Sequence, residues 1–224
     1  MRVWRDEEAK GRIMGNLMRR FSEADAQRHD DPRTVHVSEL TFCLREAALH
    51  RLNPEPMTPR KVGFFLAGRA YHGLLEGLDD AEHHEAQVMG ERDGIKIIGT
   101  IDSLGAIVTE IKSSRSDAGD IPQHYFRQTF YYMALKNQTE GRILIFRTKL
   151  QYRDDPLDVY RISLTPDELE KWRENLWRRA KLYSDALAKY SGGAAKPQKC
   201  QDLRELPMVE ETMDWKCRIC AYRG

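Results

Sequence analysis

Residues 99–114 read GTIDSLGAIVTEIKSS and place two acids and a lysine on what the pattern predicts to be one β-hairpin. Apolar residues alternate with polar ones on both sides of a short central segment that could form a turn, as in paired strands that have one buried face. If residues 105–107 form a three-residue loop, residue 102 pairs with residue 110. Asp102 then lies directly opposite Glu110, and Lys112 follows one step along the same face.

Two carboxylates at this separation repel each other unless a cation lies between them. Converging oxygen ligands favour Mg²⁺ or Mn²⁺. A lysine beside such an ion can orient or deprotonate a water molecule and stabilise charge that develops on a phosphate. The alternative is a solvated hairpin face with a Glu–Lys salt bridge, and the hairpin alone leaves both interpretations open.

Two predicted helices carry polar pairs at helical spacing on either side of the hairpin. The segment GRAYHGLLE places His72 and Glu76 at i and i+4, and QTFYY places Gln128 and Tyr132 at the same spacing. A neutral imidazole as an added ligand favours Mn²⁺ over Mg²⁺, although a lone helical histidine is more often structural. The amide and the phenol could hold a phosphate or a water molecule, or be an ordinary amphipathic pair.

The whole chain is compatible with one substantial core and a small appendage, since it has 224 residues of which 41% are hydrophobic. Its elements follow in the order helices, strand meander, helix, strands, long helix and cysteine-containing tail, which predicts an α/β or α+β fold. The sequence has neither an apolar run of about 18 residues nor a signal peptide, so we expect a soluble cytoplasmic protein without membrane partners.

Charge is balanced along the chain, with 36 basic and 35 acidic residues. A surface that binds nucleic acid must therefore be a local patch. Basic residues on the late strands and the long helix, among them Arg147, Arg161 and Arg179, are candidates, although such residues are more often simply solvated. In a cytoplasmic protein, four cysteines are more often metal ligands or free thiols than disulfides.

The motifs together resemble a known family. GTID, EIK and QTFYY are similar to the core of PD-(D/E)xK nucleases of the RecB type, and GRAYHGLLE resembles their preceding histidine motif. VSELTFCLREAAL and WKCRICAYRG resemble the two cysteine motifs of the iron–sulfur members. The combination, which spans roughly residues 36–224, is similar to the CRISPR-associated RecB-like exonucleases, here called the Cas-four family.

This resemblance implies a restriction-endonuclease-like core with a mixed central sheet flanked by helices and a cysteine-ligated iron–sulfur appendage. It implies one nuclease domain over residues 1–224, with a RecB-like core at 62–190 and an iron–sulfur subdomain formed by 36–54 and 196–224. The implied ligands of Mn²⁺ or Mg²⁺ are His72, Asp102, Glu110 and the backbone carbonyl of Ile111. Lys112 would position the nucleophilic water, with support from Gln128 and Tyr132.

The resemblance also implies a [4Fe-4S] cluster bound by Cys43, Cys200, Cys217 and Cys220. The family usually ends with three closely spaced cysteines, and here the third position would lie past Gly224. Either Cys200 is the fourth ligand, or that ligand lies beyond Gly224. Zinc would accept the same four thiolates.

The implied reaction is metal-assisted hydrolysis of single-stranded DNA from an end, often 5′ to 3′. Some family members trim precursor spacers together with the CRISPR integrase. A stand-alone viral, repair or recombination nuclease would have the same catalytic residues. Two other classes of protein are also considered: a largely non-catalytic subunit that binds DNA ends and holds an integrase, and a zinc-stabilised structural protein.

Overall fold

A computed structural model describes residues 5–26, 31–75, 81–115, 121–148, 155–191, 195–207, 217–218 and 220–222. The five α-helices described are α1 Glu7–Ala26, α2 Leu44–Leu52, α3 Pro59–Leu75, α4 Gln123–Lys136 and α5 Pro166–Ser191. The strands are β1 Thr34–His36, β2 His83–Arg92, β3 Ile95–Leu104, β4 Val108–Ser114, β5 Glu140–Arg147 and β6 Leu157–Ser163. None of the described helices is long and apolar enough to cross a membrane.

Within these described ranges, six strands form one mixed sheet. Strand β3 pairs antiparallel with β2, parallel with β1 and antiparallel with β4. Strand β4 then pairs parallel with β5, which pairs antiparallel with β6. The mixed sheet with helices packed against it agrees with the predicted α/β architecture and with a PD-(D/E)XK core.

Local chemistry explains the turns and the start of the long helix. Asp93 and Gly94 both have positive φ, +52° and +70°, and join β2 to β3 in the tight turn that Asp-Gly favours. The Glu168 N–H donates to Thr165 Oγ1 at 3.2 Å while Glu168 accepts the Thr165 N–H at 2.8 Å, so the predicted capping box begins α5. The loop of residues 105–107 also forms as predicted, with Ser103 opposite Thr109 and Leu104 opposite Val108.

The segment before α2 differs from the prediction. The sequence predicts one helix with Ser38 as its N-cap, but a short 3₁₀ helix, Val37–Leu40, comes first and α2 begins only at Leu44. Cys43 is the extended N-cap residue of α2. Residues of this break accept hydrogen bonds from distant arginines, because Arg127 donates to the Thr41 carbonyl at 2.8 Å and Arg179 donates to the Leu40 carbonyl at 2.8 Å. Tertiary contacts therefore override the local helix propensity.

The core lies between the sheet and the layer formed by α4, α5 and α2. Buried residues of the sheet and of these helices form one cluster that includes Ile97, Ile101, Ile143, Tyr131, Leu176, Tyr183 and Leu49. Burial of each such aliphatic side chain contributes about 1.5–3 kcal/mol. Helix α3 lies outside this cluster, and Val62 is its one buried residue in the described part of the chain. A groove lies between α3 and the end of β4.

Candidate active site

The predicted acids lie together at the β3–β4 hairpin. Asp102 Oδ2 accepts the backbone N–H of Ile111 at 2.6 Å, which joins the two strands where the ladder between them ends. Glu110 is fully buried, and neither of its side-chain oxygens accepts a hydrogen bond of good geometry. Lys112 makes a close ion pair with Glu110 Oε1, and its positive charge offsets part of the free-energy cost of burying the carboxylate.

Burial strongly perturbs the Glu110 carboxyl. Desolvation and then the nearby Asp102 carboxylate raise the pKa of Glu110 to about 7, against the lowering effect of Lys112. Burial lowers the pKa of Lys112, but Glu110 and Asp102 outweigh it, so the net pKa is raised. The site therefore contains more negative charge than its own lysine neutralises, and a divalent cation would correct that imbalance.

Helix α3 brings the predicted histidine to the same place. His72 Nδ1 lies 3.4 Å from Asp102 Oδ1, and this hydrogen bond raises the pKa of His72 against the opposite effect of burial. Glu76, its predicted partner one turn later, lies outside the described residues.

Helix α4 supplies a chain of hydrogen bonds to the lysine. The Lys112 ammonium donates to Gln128 Oε1 at 3.0 Å, and Gln128 Nε2 donates to the Tyr132 hydroxyl at 3.4 Å. Burial raises the pKa of Tyr132, so the phenol stays neutral. Gly99 lets the Tyr132 ring approach β3, because a Cβ there would lie 2.7 Å from Tyr132 Cε1. The sheet and α4 thus fix the position of the Lys112 Nζ atom.

Sequence reasoning missed one acid at this site. Ligand atoms of His72, Glu85 and Asp102 all lie within 4.8 Å of one another. Glu85 has a φ of +51°, uncommon for a residue other than glycine, and it falls in register opposite Asp102. The sequence did contain a usable indication: the Asp93-Gly94 turn fixes the β2–β3 register, and counting back from it places Glu85 opposite Asp102.

The cysteines lie elsewhere, where the tail contacts α2. Cys200 Sγ lies 3.9 Å from Cys220 Sγ, and burial followed by the Cys220 thiol raises the pKa of Cys200 to about 12. Cys43 and Cys217 exert weaker electrostatic effects on Cys200. None of the four forms a disulfide. Among the described residues, no three cysteine sulfurs lie within 4.8 Å of one another, so the structure does not show a thiolate cluster.

The tail is nevertheless tied to α2 by several hydrogen bonds. Arg45 donates to the carbonyls of Leu206 at 2.8 Å and Cys200 at 3.3 Å. The Tyr222 hydroxyl donates to the Asn53 carbonyl at 3.0 Å. These bonds bring the tail to the helix that Cys43 begins.

Several basic residues considered as DNA contacts have structural partners instead. Arg147 is buried and pairs with Asp158 at 2.7 Å, and Arg161 pairs with Glu140 at 3.1 Å. Arg179 donates to main-chain carbonyls before α2. These three residues are therefore engaged within the fold.

Comparison with known proteins gives one family and several similar structures. The model of the PD-(D/E)XK nuclease superfamily matches residues 4–224. No curated protein matches the chain significantly. The crystal structure of SSO0001 is similar, with a TM-score of 0.61 and 20% identity over 94% of this chain and 93% of that one. At this level of identity the similarity is one of fold alone.

Two exonuclease structures are more distant, each with a TM-score of 0.43. The alkaline exonuclease LHK-Exo from Laribacter hongkongensis is 14% identical over 73% of this chain and 95% of that one. A phage-related exonuclease from Haemophilus somnus 129PT is 16% identical over 73% of this chain and 97% of that one. With a family match across nearly its full length, the chain belongs to the PD-(D/E)XK nuclease superfamily.

Proposed function

We propose that this protein is a metal-dependent exonuclease that hydrolyses phosphodiester bonds at the ends of single-stranded DNA, working 5′ to 3′. The observation that carries the proposal is the fully buried Glu110 carboxylate, which forms an ion pair with Lys112 and lies beside a second carboxylate, that of Asp102. Burying two neighbouring carboxylates whose charge one lysine offsets only in part costs stability, whereas a bound divalent cation would compensate that charge. Membership of a nuclease superfamily makes a phosphodiester the expected substrate.

The residues present fit a hard divalent cation with one nitrogen ligand. Asp102, Glu110, His72 and the backbone carbonyl of Ile111 would hold Mn²⁺ or Mg²⁺. The group of ligand atoms that lie within 4.8 Å of one another consists of His72, Asp102 and Glu85, so Glu85 offers a further carboxylate. When bound, such an ion polarises a phosphate oxygen and lowers the pKa of a water molecule.

Lys112 would act on the substrate and the attacking water. Its ammonium is held between Glu110 and Gln128 Oε1, so its N–H donors have fixed directions. In that position it can orient the water and stabilise the negative charge that grows on the phosphate during attack. Gln128 and Tyr132 would position the lysine through their chain of hydrogen bonds.

The cysteines are proposed to have a structural role. Cys43, Cys200, Cys217 and Cys220 would bind a [4Fe-4S] cluster that joins residues 36–54 to 196–224, beside a nuclease core at 62–190. The contact of Cys200 with Cys220 and the bonds of the tail to α2 support this arrangement. Each thiolate of such a cluster binds a different iron atom, so its ligands need not be as close as those of a single ion. The cellular role proposed with it is trimming of precursor spacers beside the CRISPR integrase.

An end-labelled DNA assay tests the enzymatic proposal. Linear single strands should be degraded with Mn²⁺ or Mg²⁺ and be intact with EDTA, whereas closed circular single strands should be intact throughout. Asp102→Ala and Glu110→Ala should abolish cleavage, and Lys112→Ala should lower the rate by about 10²–10⁴-fold. Glu140→Gln, an acid on β5 that pairs with Arg161, is the matched control and should keep full activity. Cleavage that persists in EDTA or in the Asp102 and Glu110 variants would overturn the proposal.

A further inference from the structure

A groove beside the active site has no role in the site described above. One wall is α3, through Arg60, Phe64 and Tyr71, and the other is the end of β4, through Ser113 and Arg115. The groove has a volume of about 730 Å³. The groove is built from the same two elements as the active site, because α3 also carries His72 and β4 also carries Lys112.

Two arginines lie close to an exposed aromatic ring in this groove. The guanidinium carbons of Arg60 and Arg115 each lie 5.7 Å from the centroid of the Phe64 ring. Phe64 is 47% exposed, so its ring is accessible from the groove. The lining residues of the groove include these two arginines and no carboxylate. Within the described lining, the groove therefore carries positive charge.

The surrounding residues keep the groove open. Tyr71 is stacked on Phe146 of β5, with 4.8 Å between ring centroids, so the far end of the groove is fixed to the sheet. At Gly63, which also lines the groove, a Cβ would meet no protein atom within 4 Å. Packing within the protein therefore does not require glycine at position 63, and the space beside this residue is part of the groove.

From these contacts, the geometry points to the α3–β4 groove as the binding site for the single strand that enters the active site. A base stacks on Phe64, and phosphates on either side of it pair with Arg60 and Arg115. Exposed aromatic rings flanked by arginines bind unpaired bases without sequence preference, because every base has a π-face. Paired bases in a duplex do not offer that face. The inference rests on the proposed nuclease function and specifies how its substrate is held.

Binding and chemistry are measured separately so that the two proposals can fail independently. Fluorescence anisotropy with a labelled oligothymidylate in EDTA reports binding without cleavage. Hydrolysis of bis(p-nitrophenyl) phosphate with Mn²⁺ reports the metal site without the groove. If the small ester is not hydrolysed but the oligonucleotide binds through the groove, the enzymatic proposal fails and the groove stands.

Phe64→Ala should raise the dissociation constant for oligothymidylate by about 5- to 150-fold, the effect of losing one stacked base. Hydrolysis of the small ester should be unchanged. Phe65→Ala is the matched control, since Phe65 is 48% exposed but packs against Phe21 of α1, and its affinity should equal that of the wild type. Phe64→Leu, which keeps the apolar bulk, replaces the alanine variant if thermal melting shows that Phe64→Ala is unfolded.

Arg60→Gln and Arg115→Gln should each reduce the slope of log affinity against log salt by about 1, the loss of one phosphate contact. Lys171→Gln and Arg178→Gln are the charge controls, because they line a second groove that also contains Asp93 and Glu174. An unchanged affinity in Phe64→Ala and Phe64→Leu would overturn the inference. It would also be overturned if Phe64→Ala weakened the binding of blunt duplex as much as that of single strands. A wild-type affinity that does not depend on salt would likewise overturn it, because the groove would then contact no phosphates.

Discussion

Replacing Glu110 by glutamine should stabilise the protein in the absence of metal and abolish its stabilisation by Mn²⁺. Glu110 is fully buried, and its oxygens lack hydrogen bonds of good geometry. Glutamine has nearly the shape of the protonated acid and carries no charge. The substitution therefore removes the electrostatic cost of the metal-free site, and with it the ligand.

The magnitude follows from the pKa of Glu110, which burial and Asp102 raise from 4.5 to about 7. Because the folded-state pKa lies above the unfolded one, the stability contributed by this group is present below about pH 4.5 and is lost as the pH rises through 7. The full rise corresponds to about 3 kcal/mol at pH 8. Attraction to Lys112 is already included, since it lowers the same pKa.

Thermal melting in EDTA across this pH range is the assay. At pH 8, Glu110→Gln should melt about 6–12 °C above the wild type, since about 1 kcal/mol shifts the midpoint by 2–4 °C in a chain of this size. At pH 4 the two should coincide. Added Mn²⁺ should raise the wild-type midpoint by mass action and leave the variant unchanged.

Glu140→Gln is the control. Hydrogen bonds with Ser163 and Arg161 lower the pKa of Glu140, so replacing this carboxylate should not stabilise the protein. A Glu110→Gln variant that melts below the wild type at pH 8 in EDTA would show that the buried carboxylate is compensated. A variant that Mn²⁺ still stabilises fully would show that Glu110 is not a ligand.

Three further changes test other parts of the site. Gly99→Ala should push the Tyr132 ring away from β3 and lower the free energy of unfolding by about 1–3 kcal/mol, measured by thermal melting. The same change should lower kcat more than it raises KM. Unchanged kinetics would show that Tyr132 does not contribute to the reaction. Glu85→Gln should weaken Mn²⁺ binding in calorimetry by roughly tenfold or more, while Asp93→Asn in the nearby turn should leave it unchanged. Cys43→Ser should remove the visible absorbance of anaerobically purified protein and lower its melting temperature; a colourless wild type would contradict the iron–sulfur proposal.

The hairpin and the order of elements could be predicted because their determinants are local. Alternation of apolar residues sets the faces of β3 and β4, the Asp93-Gly94 pair sets a tight turn, and the Thr165–Glu168 box begins α5. Strand β1 could not be predicted, since three residues carry too little periodicity and its partner is a distant segment of β3.

The candidate site was predictable in part for the same reason. Asp102, Glu110 and Lys112 belong to one hairpin, so their proximity follows from strand geometry. The hydrogen bond between Gln128 and Lys112 depends on how α4 packs on β4, which the sequence of the hairpin does not determine. The groove at Phe64 depends on α3 lying outside the core, which its apolar sequence does not suggest.

The break before α2 shows how tertiary contacts override local helix propensity next to Cys43. A continuous helix through residues 38–52 would satisfy the carbonyls of Leu40 and Thr41 internally. Instead, Arg179 of α5 and Arg127 of α4 donate to them, and Arg127 directly precedes Gln128, the residue that holds Lys112. The contacts that hold the segment before Cys43 are therefore made in part by α4, the helix that also supports the lysine proposed to be catalytic. A cluster that fixes the segment around Cys43 would in this way also stabilise the position of α4, so loss of the cysteine ligands should affect the active site through packing without any contact between the two sites.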